Sequence, residues 1–457
     1  MLGFGMPQVG EDTLTRIKEA LELGDLELLE GLLQETPALE LIEHWDELSG
    51  EHQFVLLTLL PPPKAAEVLS QLDPEDQLEF LDTLPRFQVR GILEHLDPDD
   101  LADLLQAARE ERPALFEELL SELDDETRAE VERLLAYEED EAGGLMTPEY
   151  VAVKGNMTVE EVLEFLRRAA PDAETIYYIY VVDDAGRLLG VVSLRDLIVA
   201  DPHVRVKEIM NENVVYVTTE TDQEEVARLM ADYDFTVLPV VDEDQRLVGI
   251  VTIDDVIDVL EEEATEDIYR LGAVEAPELV YSKSNVLELW SARVRWLVIL
   301  ILTGMVTSTI LGGFEDVLKA VTALSFYLPV LLGTGGNSGS QAATIIVRAL
   351  GTKDVEIEDW PKILFKEVGV GFLLGLTLSA LIAAKVVIDG HLEITAVVAL
   401  ALFLLVIVAN LAGSLLPLLL AKLGVDPALI SNPLIATVSD ISGLLIYLSV
   451  ARLLLGV

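Results

Sequence analysis

Asp440 is the single acid in a mostly apolar run over residues 429–455. A run of about 20 apolar residues is long enough to cross a bilayer, and an ionised carboxylate near its centre costs roughly 3 kcal/mol on insertion scales. No Lys, Arg or His lies within one helical turn of Asp440. We predict that a cation arriving from water is its partner, although the hydroxyls of Ser439, Ser442 or Thr437 could instead cap a carboxylate that faces protein.

A glycine-rich sequence, GTGGNSGSQAAT, occupies residues 333–344 of another apolar segment. Glycine at this density permits close helix packing, or an open backbone whose carbonyls line a water-filled path. Packing explains the glycines but explains Asn337, Gln341 and Thr344 poorly, because these bring amide and hydroxyl oxygens into the same segment. The sequence is not a phosphate-binding loop, since no Lys follows the glycines.

Carboxylate, amide and hydroxyl oxygens together suit a hard divalent cation, and Mg²⁺ in particular gives up its water reluctantly. One Asp from each chain of a two-fold dimer would supply the charge that a hydrated ion needs. The chain has no Cys, and its five His residues form no His-Glu-x-x-His run, so thiolate sites and a membrane zinc protease are excluded. We predict no catalytic residue; these ligand types do not distinguish Mg²⁺ from Mn²⁺, Co²⁺ or Ca²⁺.

The charge of the chain is unevenly distributed. Residues 290–457 contain 11 of the 81 acids and 10 of the 30 Lys and Arg residues, so nearly all of the net charge of −51 lies before residue 290. Like-charge repulsion disfavours nucleic acid and anionic lipid as partners of that part and favours cations. The composition, 51% hydrophobic, predicts a membrane protein of several domains.

Residues 1–140 predict an acidic domain of short amphipathic helices. Asp73-Pro74 and Asp97-Pro98 each place an N-cap residue before a Pro at the first helical position. The two motifs recur 24 residues apart, which favours a superhelical array of helical hairpins.

Residues 141–203 and 204–268 predict two copies of one α/β unit. VVDDAGRLLGVVSLRD at 181–196 matches VVDEDQRLVGIVTIDD at 240–255, and each copy predicts two strands around an acidic turn and a helix capped by Ser193 or Thr252. This pattern resembles a tandem pair of CBS domains, a regulatory module that often binds adenine nucleotides between its copies.

Residues 269–292 predict a connecting helix, and residues 293–457 an all-α membrane domain. Five mostly uncharged windows cover residues 296–314, 320–347, 368–384, 394–421 and 429–455. The distribution of Lys and Arg around them places the amino terminus in the cytoplasm and the carboxyl terminus outside. Residues 1–8 lack a basic start and an apolar run, so no cleavable signal is predicted.

The order of these parts, with GGNSG at 335–339 and Asn432-Pro433 ahead of Asp440, resembles the MgtE family of bacterial magnesium channels and transporters, above all its thermophilic members, over nearly the whole chain. The resemblance implies a helical N-terminal domain, a CBS pair, a long connecting (plug) helix and five spans. It also implies a homodimer in the cell inner membrane that passes Mg²⁺ down its gradient and closes when cytosolic Mg²⁺ is high.

The resemblance further implies three groups of site residues. The pore residues are Asp440, Asn432, Gly336, Asn337, Thr344 and Gly443; Ser340 stands where the family usually has Asn, which weakens its side chain as an ion contact. Regulatory Mg²⁺ is expected on Glu67, Asp99, Asp103, Asp222, Glu224, Asp234, Asp255, Asp258, Glu263, Glu266 and Asp267, although each acid singly could be a solvated surface charge. Contacts to ATP, as a regulatory ligand, are expected at Tyr178, Arg195, Asp196 and Phe235.

Repulsion among the acids predicts a switch, because divalent ions that bridge facing carboxylates favour a closed state in which the connecting helix blocks the path. One alternative is a secondary transporter that couples ions such as Co²⁺ or Mn²⁺ to sodium or protons, with Asp440 as the coupling acid. Another is a nucleotide sensor that its spans only anchor. An ATP-driven pump is disfavoured, because neither a phosphate loop nor an Asp-Lys-Thr-Gly motif is present.

Overall fold

The computed structural model describes residues 10–169, 173–274, 281, 284–427 and 432–456. The chain divides into two compact units, Met1–Leu260 and Glu261–Val457. The first unit contains helices and both sheets, whereas the regular elements of the second are all helices within its described residues.

Unit 1 starts with an array of short α-helices, in agreement with the predicted acidic helical domain. Its helices are α1 (Gly10–Leu23), α2 (Leu26–Glu35), α3 (Ala38–Glu43), α4 (Gly50–Leu59), α5 (Pro62–Ser70), α6 (Pro74–Thr83), α7 (Arg86–Leu93), α8 (Pro98–Glu111), α9 (Pro113–Glu122) and α10 (Asp125–Leu134). Leucines at helical spacing, such as Leu78, Leu81 and Leu105, are fully buried between them. Burial of a side chain of this size stabilises the fold by roughly 1.5–3 kcal/mol, so the array is held by its leucines.

Pro74 and Pro98 begin α6 and α8 as predicted, and Asp73 and Asp97 occupy the preceding N-cap positions. Neither Asp side chain accepts the capping hydrogen bond, unlike Asp124, which accepts from two backbone N–H groups of α10. The carboxylate of Asp97 is therefore not committed to its own helix.

The predicted α/β repeat is confirmed. Its elements are α11 (Ala142–Leu145), β1 (Ala152–Lys154), α12 (Val159–Ala169), β2 (Tyr178–Val182), β3 (Leu188–Ser193), α13 (Leu194–Val199), β4 (Val217–Thr218), α14 (Gln223–Tyr233), β5 (Val237–Val241), β6 (Leu247–Thr252) and α15 (Ile253–Leu271). The strand orders are β1-β2-β3 and β4-β5-β6, each with one parallel and one antiparallel pair. The register shifts after Val181 in one sheet and after Val240 in the other, so even this irregularity repeats.

The strand glycine of each copy has a packing role. A Cβ on Gly190 would lie 2.8 Å from Sδ of Met210, and a Cβ on Gly249 would lie 2.6 Å from Sδ of Met146. Real Cβ atoms do not approach this closely, so glycine admits a methionine against the strand in both copies.

Unit 2 contains the end of α15 and six further α-helices within the described residues. They are α16 (Val286–Gly313), α17 (Glu315–Ala320), α18 (Leu324–Gly351), α19 (Trp360–Ile388), α20 (Thr395–Lys422) and α21 (Asn432–Leu455). The long helix α20 packs against α18, α19 and α21, and its side chains Leu402, Leu405 and Val406 are buried in the shared core. Helix α20 therefore positions the other three.

The described residues include four helices that are long and apolar enough to cross a membrane: Val286–Gly313, Ile357–Ile388, Leu392–Lys422 and Asn432–Leu455. Helix α18, the second of the five predicted spans, is 28 residues long but less apolar, because its Gly, Ser, Thr, Asn and Gln residues replace aliphatic ones. The predicted spans thus coincide with five long helices.

The connecting helix predicted over residues 269–292 is not continuous. Helix α15 ends at Leu271, where Gly272 and Ala273 follow and Ala273 has a φ of 58°. A new helix, α16, starts at Val286, and Asn285 and Glu288 form a capping box at its start. The sequence prediction read the apolar spacing around Leu287 as part of one helix and missed this cap. Residues 275–280, 282 and 283 of the predicted helix lie outside the described residues.

Candidate metal sites

Helices α18 and α21 meet through small residues. A Cβ on Gly336 would lie 3.3 Å from Cβ of Ala436, and a Cβ on Gly443 would lie 3.0 Å from Cδ2 of Leu332. Small residues let the backbones of membrane helices approach closely. Close packing therefore accounts for Gly336 and Gly443, two of the predicted pore residues.

Asn432, at the start of α21, has an unused acceptor. Its side-chain Oδ1 is buried and accepts no hydrogen bond from the described residues. Its backbone oxygen accepts from the hydroxyl of Ser340, with 3.3 Å between the two oxygens. A buried acceptor without a donor destabilises the fold by about 1–3 kcal/mol. The waters of a hydrated cation can donate hydrogen bonds to such an acceptor. Ser340 thus contributes to the contact between α18 and α21 through its hydroxyl.

The polar residues Asn337, Gln341 and Thr344 lie on one exposed face of α18. The hydroxyl of Thr344 donates to the backbone oxygen of Ser340, 3.0 Å away, so its oxygen retains acceptor capacity. The opposite face, which includes Gly336, is buried. The predicted pore residues of α18 are therefore divided between a packing face and an exposed polar face.

The carboxylate of Asp440 is half-buried on α21 and has no Lys, Arg or His partner among the described residues. The three hydroxyls considered as caps are used differently. Thr437 donates to the backbone oxygen of Pro433 (3.0 Å), Ser442 donates to that of Val438 (2.8 Å), and Oγ of Ser439 is buried without a hydrogen-bond partner. Among the described residues, therefore, none of these three hydroxyls caps the carboxylate of Asp440.

A second candidate site lies within unit 1, where the start of α8 faces the start of α15. Burial raises the pKa of Asp99 to about 8, and the charges of Asp255 and Asp100 add to the rise. Burial also raises the pKa of Asp100 to about 7, with further contributions from Asp97 and Asp255. Oδ1 of Asp99 is buried without a hydrogen-bond partner. Two of the predicted regulatory acids, Asp99 and Asp255, are thus brought together.

Asp255 has one neutral partner. The hydroxyl of Thr252 donates to Oδ2 of Asp255 over 2.7 Å, which lowers the pKa of this carboxyl, but burial outweighs that contact and the net shift is upward. Protonation or a bound cation relieves such a group.

Sequence reasoning missed a neighbouring triad. Carboxylate oxygens of Asp97, Glu149 and Glu174 lie within 4.8 Å of one another. The backbone N–H of Glu174 donates to the backbone oxygen of Glu149, 2.9 Å away, and this tertiary contact brings the two acids together. No local pattern could have identified them. Asp97 was predicted as an N-cap residue, and the structure shows that its side chain does not make the capping hydrogen bond.

The other predicted regulatory acids of unit 1 lie at exposed positions, and two of them have structural roles. Asp222 caps α14 by accepting from the backbone N–H of Glu224 (2.9 Å), and Asp234 ends the same helix with a φ of 54°. Glu67, Asp103 and Asp258 are also exposed. The solvated-surface alternative therefore remains open for these residues.

In unit 2, Glu263, Glu266 and Asp267 follow one another along α15. Arg270 forms ion pairs with Glu266 and with Asp426, which lies between α20 and α21. Burial raises the pKa of Asp267, and the charges of Asp426 and Glu263 raise it further. Asp426 was absent from the prediction, because nothing near it in sequence marks it as part of this cluster.

Three of the predicted nucleotide contacts lie in the first copy of the repeat, and Phe235 lies in the second copy, between α14 and β5. Tyr178 begins β2, while Arg195 and Asp196 are exposed in the first turn of α13, where the hydroxyl of Ser193 donates to Asp196 over 2.6 Å. Phe235 stacks on Tyr233 with 5.4 Å between ring centroids.

Comparison with known proteins assigns each part of the chain. Residues 328–450 match the family described as "MgtE: Divalent cation transporter", residues 36–140 match "MgtE intracellular N domain", and residues 142–203 and 206–262 match the CBS domain.

Three curated relatives are named magnesium transporter MgtE. The relative from Thermus thermophilus is 68% identical over 445 residues, which cover 97% of this chain and 99% of that protein. Those from Enterococcus faecalis and Bacillus subtilis are 40% and 38% identical and cover 72% and 73% of this chain and the same shares of their own lengths.

Two solved structures resemble about half of this chain. The cytosolic domain of the Mg²⁺ channel MgtE in complex with ATP is 69% identical, with a TM-score of 0.53, and covers 54% of this chain and 99% of its own. The soluble part of a magnesium transporter is 34% identical, with a TM-score of 0.51, and covers 56% and 99%. With the sequence matches over nearly its full length, the chain belongs to the MgtE family.

Proposed function

We propose that this chain forms a channel for passive Mg²⁺ uptake, with an ion path along α18 and α21. The observation that carries the proposal is the carboxylate of Asp440, which lies in a membrane helix without a cationic partner or a hydroxyl cap among the described residues. An acid in such a place is a functional candidate by default. The relatives named as magnesium transporters support Mg²⁺ as the cation.

The neighbouring groups fit a hydrated ion. Oδ1 of Asn432 and the exposed side chains of Asn337 and Thr344 provide neutral oxygens, and Mg²⁺ prefers oxygen ligands while retaining several waters. Gly336 and Gly443 keep α18 and α21 close enough for both helices to line one path. Asp440 supplies the charge that attracts the ion.

The test is Mg²⁺ flux into proteoliposomes that contain the native chain or Asp440→Ala. We expect the variant to lose flux, whereas Asp316→Asn, which removes an exposed acid between the first two long helices, should retain it. Equal flux through the native chain and Asp440→Ala would contradict the proposed path.

A secondary transporter of divalent ions such as Co²⁺ or Mn²⁺ is the second candidate, because a lone membrane acid also suits ion coupling. A membrane potential imposed without a sodium or proton gradient separates the two. Flux under these conditions supports a channel, and flux that requires either gradient supports coupling. The names of the relatives also support transport and no enzymatic activity for this chain.

We further propose that Mg²⁺ closes the path by binding to the acidic sites, among them Asp99, Asp255, Asp258 and Glu263. Burial raises the pKa values of Asp99 and Asp255, the charge of Asp255 adds to the rise at Asp99, and a bridging divalent ion would stabilise both carboxylates. Helix α15 carries acids of both units along one continuous helix, so it is the element through which binding is transmitted.

Alanine at Asp255, Asp258 and Glu263 together tests this switch. Flux at low Mg²⁺ should persist, and its inhibition by millimolar Mg²⁺ on the cytoplasmic face should disappear. If inhibition by internal Mg²⁺ were unchanged, these acids would not be the sensor. Thr265→Ala, on the same helix, serves as the matched control.

ATP is the proposed regulatory ligand of the CBS pair, because the cytosolic domain of a 69%-identical structure was solved in complex with ATP. The proposed contacts are Tyr178, Arg195, Asp196 and Phe235. Calorimetric titration of the full chain with ATP should give binding that Tyr178→Ala and Arg195→Ala weaken. Tyr177→Ala is the control, because the Tyr177 side chain is already 71% exposed.

The proposed assembly is a homodimer in the cell inner membrane, with five spans and a cytoplasmic amino terminus. The proposed domains of each chain are the helical domain 1–140, the two CBS copies 141–203 and 204–268, the connecting segment 269–292 and the membrane domain 293–457. The exposed polar face of α18 supports a dimer, because Asn337, Gln341 and Thr344 are costly against lipid.

Light scattering in detergent should give twice the chain mass of 50.1 kDa. The absence of Cys makes the topology measurable. An impermeant thiol reagent added to cells should modify Lys319→Cys and leave Lys353→Cys unmodified. The reverse pattern would invert the proposed orientation.

A further inference from the structure

Three polar side chains join three long helices of unit 2. The hydroxyl of Ser338 on α18 donates to Oδ1 of Asn410 on α20, with 2.6 Å between the oxygens. Nδ2 of Asn410 donates to Oε2 of Glu367 on α19, 3.2 Å away. None of the three belongs to the candidate sites described above.

The chain of hydrogen bonds is shielded from water. Ser338 is 7% exposed and Asn410 is 2% exposed, while Glu367 is half-buried. Polar groups in membrane helices are costly unless they are paired, and they occur where they serve a function. Both polar atoms of the Asn410 side-chain amide are hydrogen-bonded, so contacts to α18 and to α19 together fix the orientation of this side chain.

The helices are in close contact around this network. A Cβ on Gly413 would lie 2.1 Å from the backbone oxygen of Gly339, so α18 and α20 touch through their backbones there. A Cβ on Gly371 of α19 would lie 3.1 Å from Cα of Ile407 on α20. Glycine contacts set the distance between helices but are not directional, whereas hydrogen bonds also fix rotation and depth.

The network adjoins the candidate ion path at one residue. Ser338 stands between Asn337, on the exposed polar face of α18, and Gly339. A Cβ on Gly339 would lie 3.0 Å from Oγ of Ser439, the residue before Asp440. A rotation of α18 at Ser338 would therefore move Asn337 and disturb the packing of the Asp440 segment.

We propose that Ser338, Asn410 and Glu367 are positioning residues that hold α18 at one rotation and depth, and thereby fix the ion path. The inference rests on the proposed function, since it assigns these residues a role in Mg²⁺ passage. They act through α18 and do not touch the ion. Glu367 contributes as a hydrogen-bond acceptor, and its negative charge is not required.

Asn410→Leu is the principal variant, because it removes both hydrogen bonds while nearly preserving side-chain volume. Displacement of a positioned group by about 1 Å can reduce a rate about 100-fold, and we expect Mg²⁺ flux to fall about tenfold or more. We also expect the ratio of Mg²⁺ to Ca²⁺ flux to change. Each interhelical hydrogen bond contributes on average about 0.6 kcal/mol in a membrane protein, so the loss of both should lower the melting temperature only modestly.

Paired substitutions separate acceptor from charge. Glu367→Gln retains an acceptor oxygen and should keep flux within about twofold of native, whereas Glu367→Leu should resemble Asn410→Leu. Ser338→Ala should give an intermediate loss. Ser414→Ala is the matched control, because Ser414 is buried on α20 and its hydroxyl donates within the same helix, to the backbone oxygen of Leu411. Loss of flux in Glu367→Gln as complete as in Glu367→Leu would overturn the proposal, as would native flux and native selectivity in Asn410→Leu.

A second measurement does not depend on transport. Gln341→Cys, in a chain that otherwise lacks Cys, reports the rotation of α18 through its rate of modification by a water-soluble thiol reagent. We expect Asn410→Leu to change this rate severalfold and Ser414→Ala to leave it unchanged. An unchanged rate in Asn410→Leu overturns the positioning role even if the native chain proves to conduct no Mg²⁺, so the two failures are distinguishable.

Discussion

Unit 1 and the membrane helices of unit 2 arrange their acids in opposite ways. Unit 1 gathers carboxylates: burial raises the pKa values of Asp99, Asp100 and Asp255, and the charge of Asp255 adds to the rise at Asp99 and Asp100. The membrane helices of unit 2 instead isolate single acids, Asp440 on α21 and Glu367 on α19. A cluster responds steeply to cations because each bound ion relieves several repulsions, while an isolated acid offers one ion one charge.

The difference suggests that the clustered acids and the isolated acids have different functions. A gathered set suits a sensor, which must change its state when a divalent cation binds. An isolated acid suits a path, which must attract an ion without retaining it. The positions of the acids in the fold, more than their number, would then decide their role.

Neutralising the isolated acid should have the largest effect. Asp440→Asn keeps the shape and removes the charge, and we expect Mg²⁺ flux to fall about 100-fold or more, because no other described carboxylate accompanies it on α21. Asp100→Asn in the cluster should leave flux at low Mg²⁺ near native. Proteoliposome flux of the two variants measured side by side checks this, and a comparable loss in both would remove the distinction between path and sensor.

The cluster should be visible in the pH dependence of stability. The folded chain raises the pKa of Asp99 from 3.8 to about 8, so it binds this proton more tightly than the unfolded chain does. Without divalent ions, the free energy of unfolding of unit 1 should therefore fall as pH rises from about 4 to 8, by roughly 2–4 kcal/mol after allowance for solvent screening. Thermal unfolding with a chelator present measures this.

Asp99→Asn should remove the contribution of Asp99 and leave that of Asp100, whose pKa burial raises to about 7, and it should melt above the native chain at pH 8. Glu67→Gln, at an exposed position, is the control and should retain the native profile. Added Mg²⁺ should restore stability at pH 8 and release protons, which calorimetry in buffers of different ionisation enthalpy can count. A flat profile in the native chain would show that the fold does not raise the pKa values of Asp99 and Asp100.

The helix contacts of unit 2 predict a smaller, purely steric effect. Gly413→Ala places a Cβ 2.1 Å from the backbone oxygen of Gly339, so α18 and α20 must separate. Such overpacking typically costs about 1–3 kcal/mol, and flux should fall with it. Gly312→Ala on α16 has no atom within 4 Å and should be silent. Melting temperature and flux of the pair test whether packing or polarity explains the glycines of unit 2.

The sequence predicted elements better than it predicted contacts. The repeat, the helical array and the long apolar helices followed from periodicity and from caps such as Ser193, because local residues determine them. The break after Leu271 was missed, since the apolar residues around Leu287 were assigned to one helix that starts at residue 269.

The acids of the candidate sites also differ in whether the sequence alone could identify them. Asp440 could be identified from the sequence because the apolar residues around it in the chain also form the membrane helix that contains it. Glu149, Glu174 and Asp426 could not, because only tertiary contacts bring them to their neighbours. Asp97 was interpreted as a cap, which its position permits and its side chain does not perform.

The repeat itself offers the smallest effect and one in which charge takes no part. Gly186 and Gln245 occupy equivalent turn positions of the two copies, with φ values of 84° and 61°. A side chain is disfavoured in this region, so Gly186→Ala should destabilise unit 1 by about 1 kcal/mol and Gln245→Gly should be neutral or slightly stabilising. Thermal unfolding measures both, and Gly50→Ala, which meets no atom within 4 Å, is the control. If the two substitutions change stability in opposite directions and neither effect depends on Mg²⁺ or pH, the response of unit 1 to Mg²⁺ and pH comes from its acids and not from these turns. A Mg²⁺-dependent difference between the two variants would instead show that the turns contribute to it.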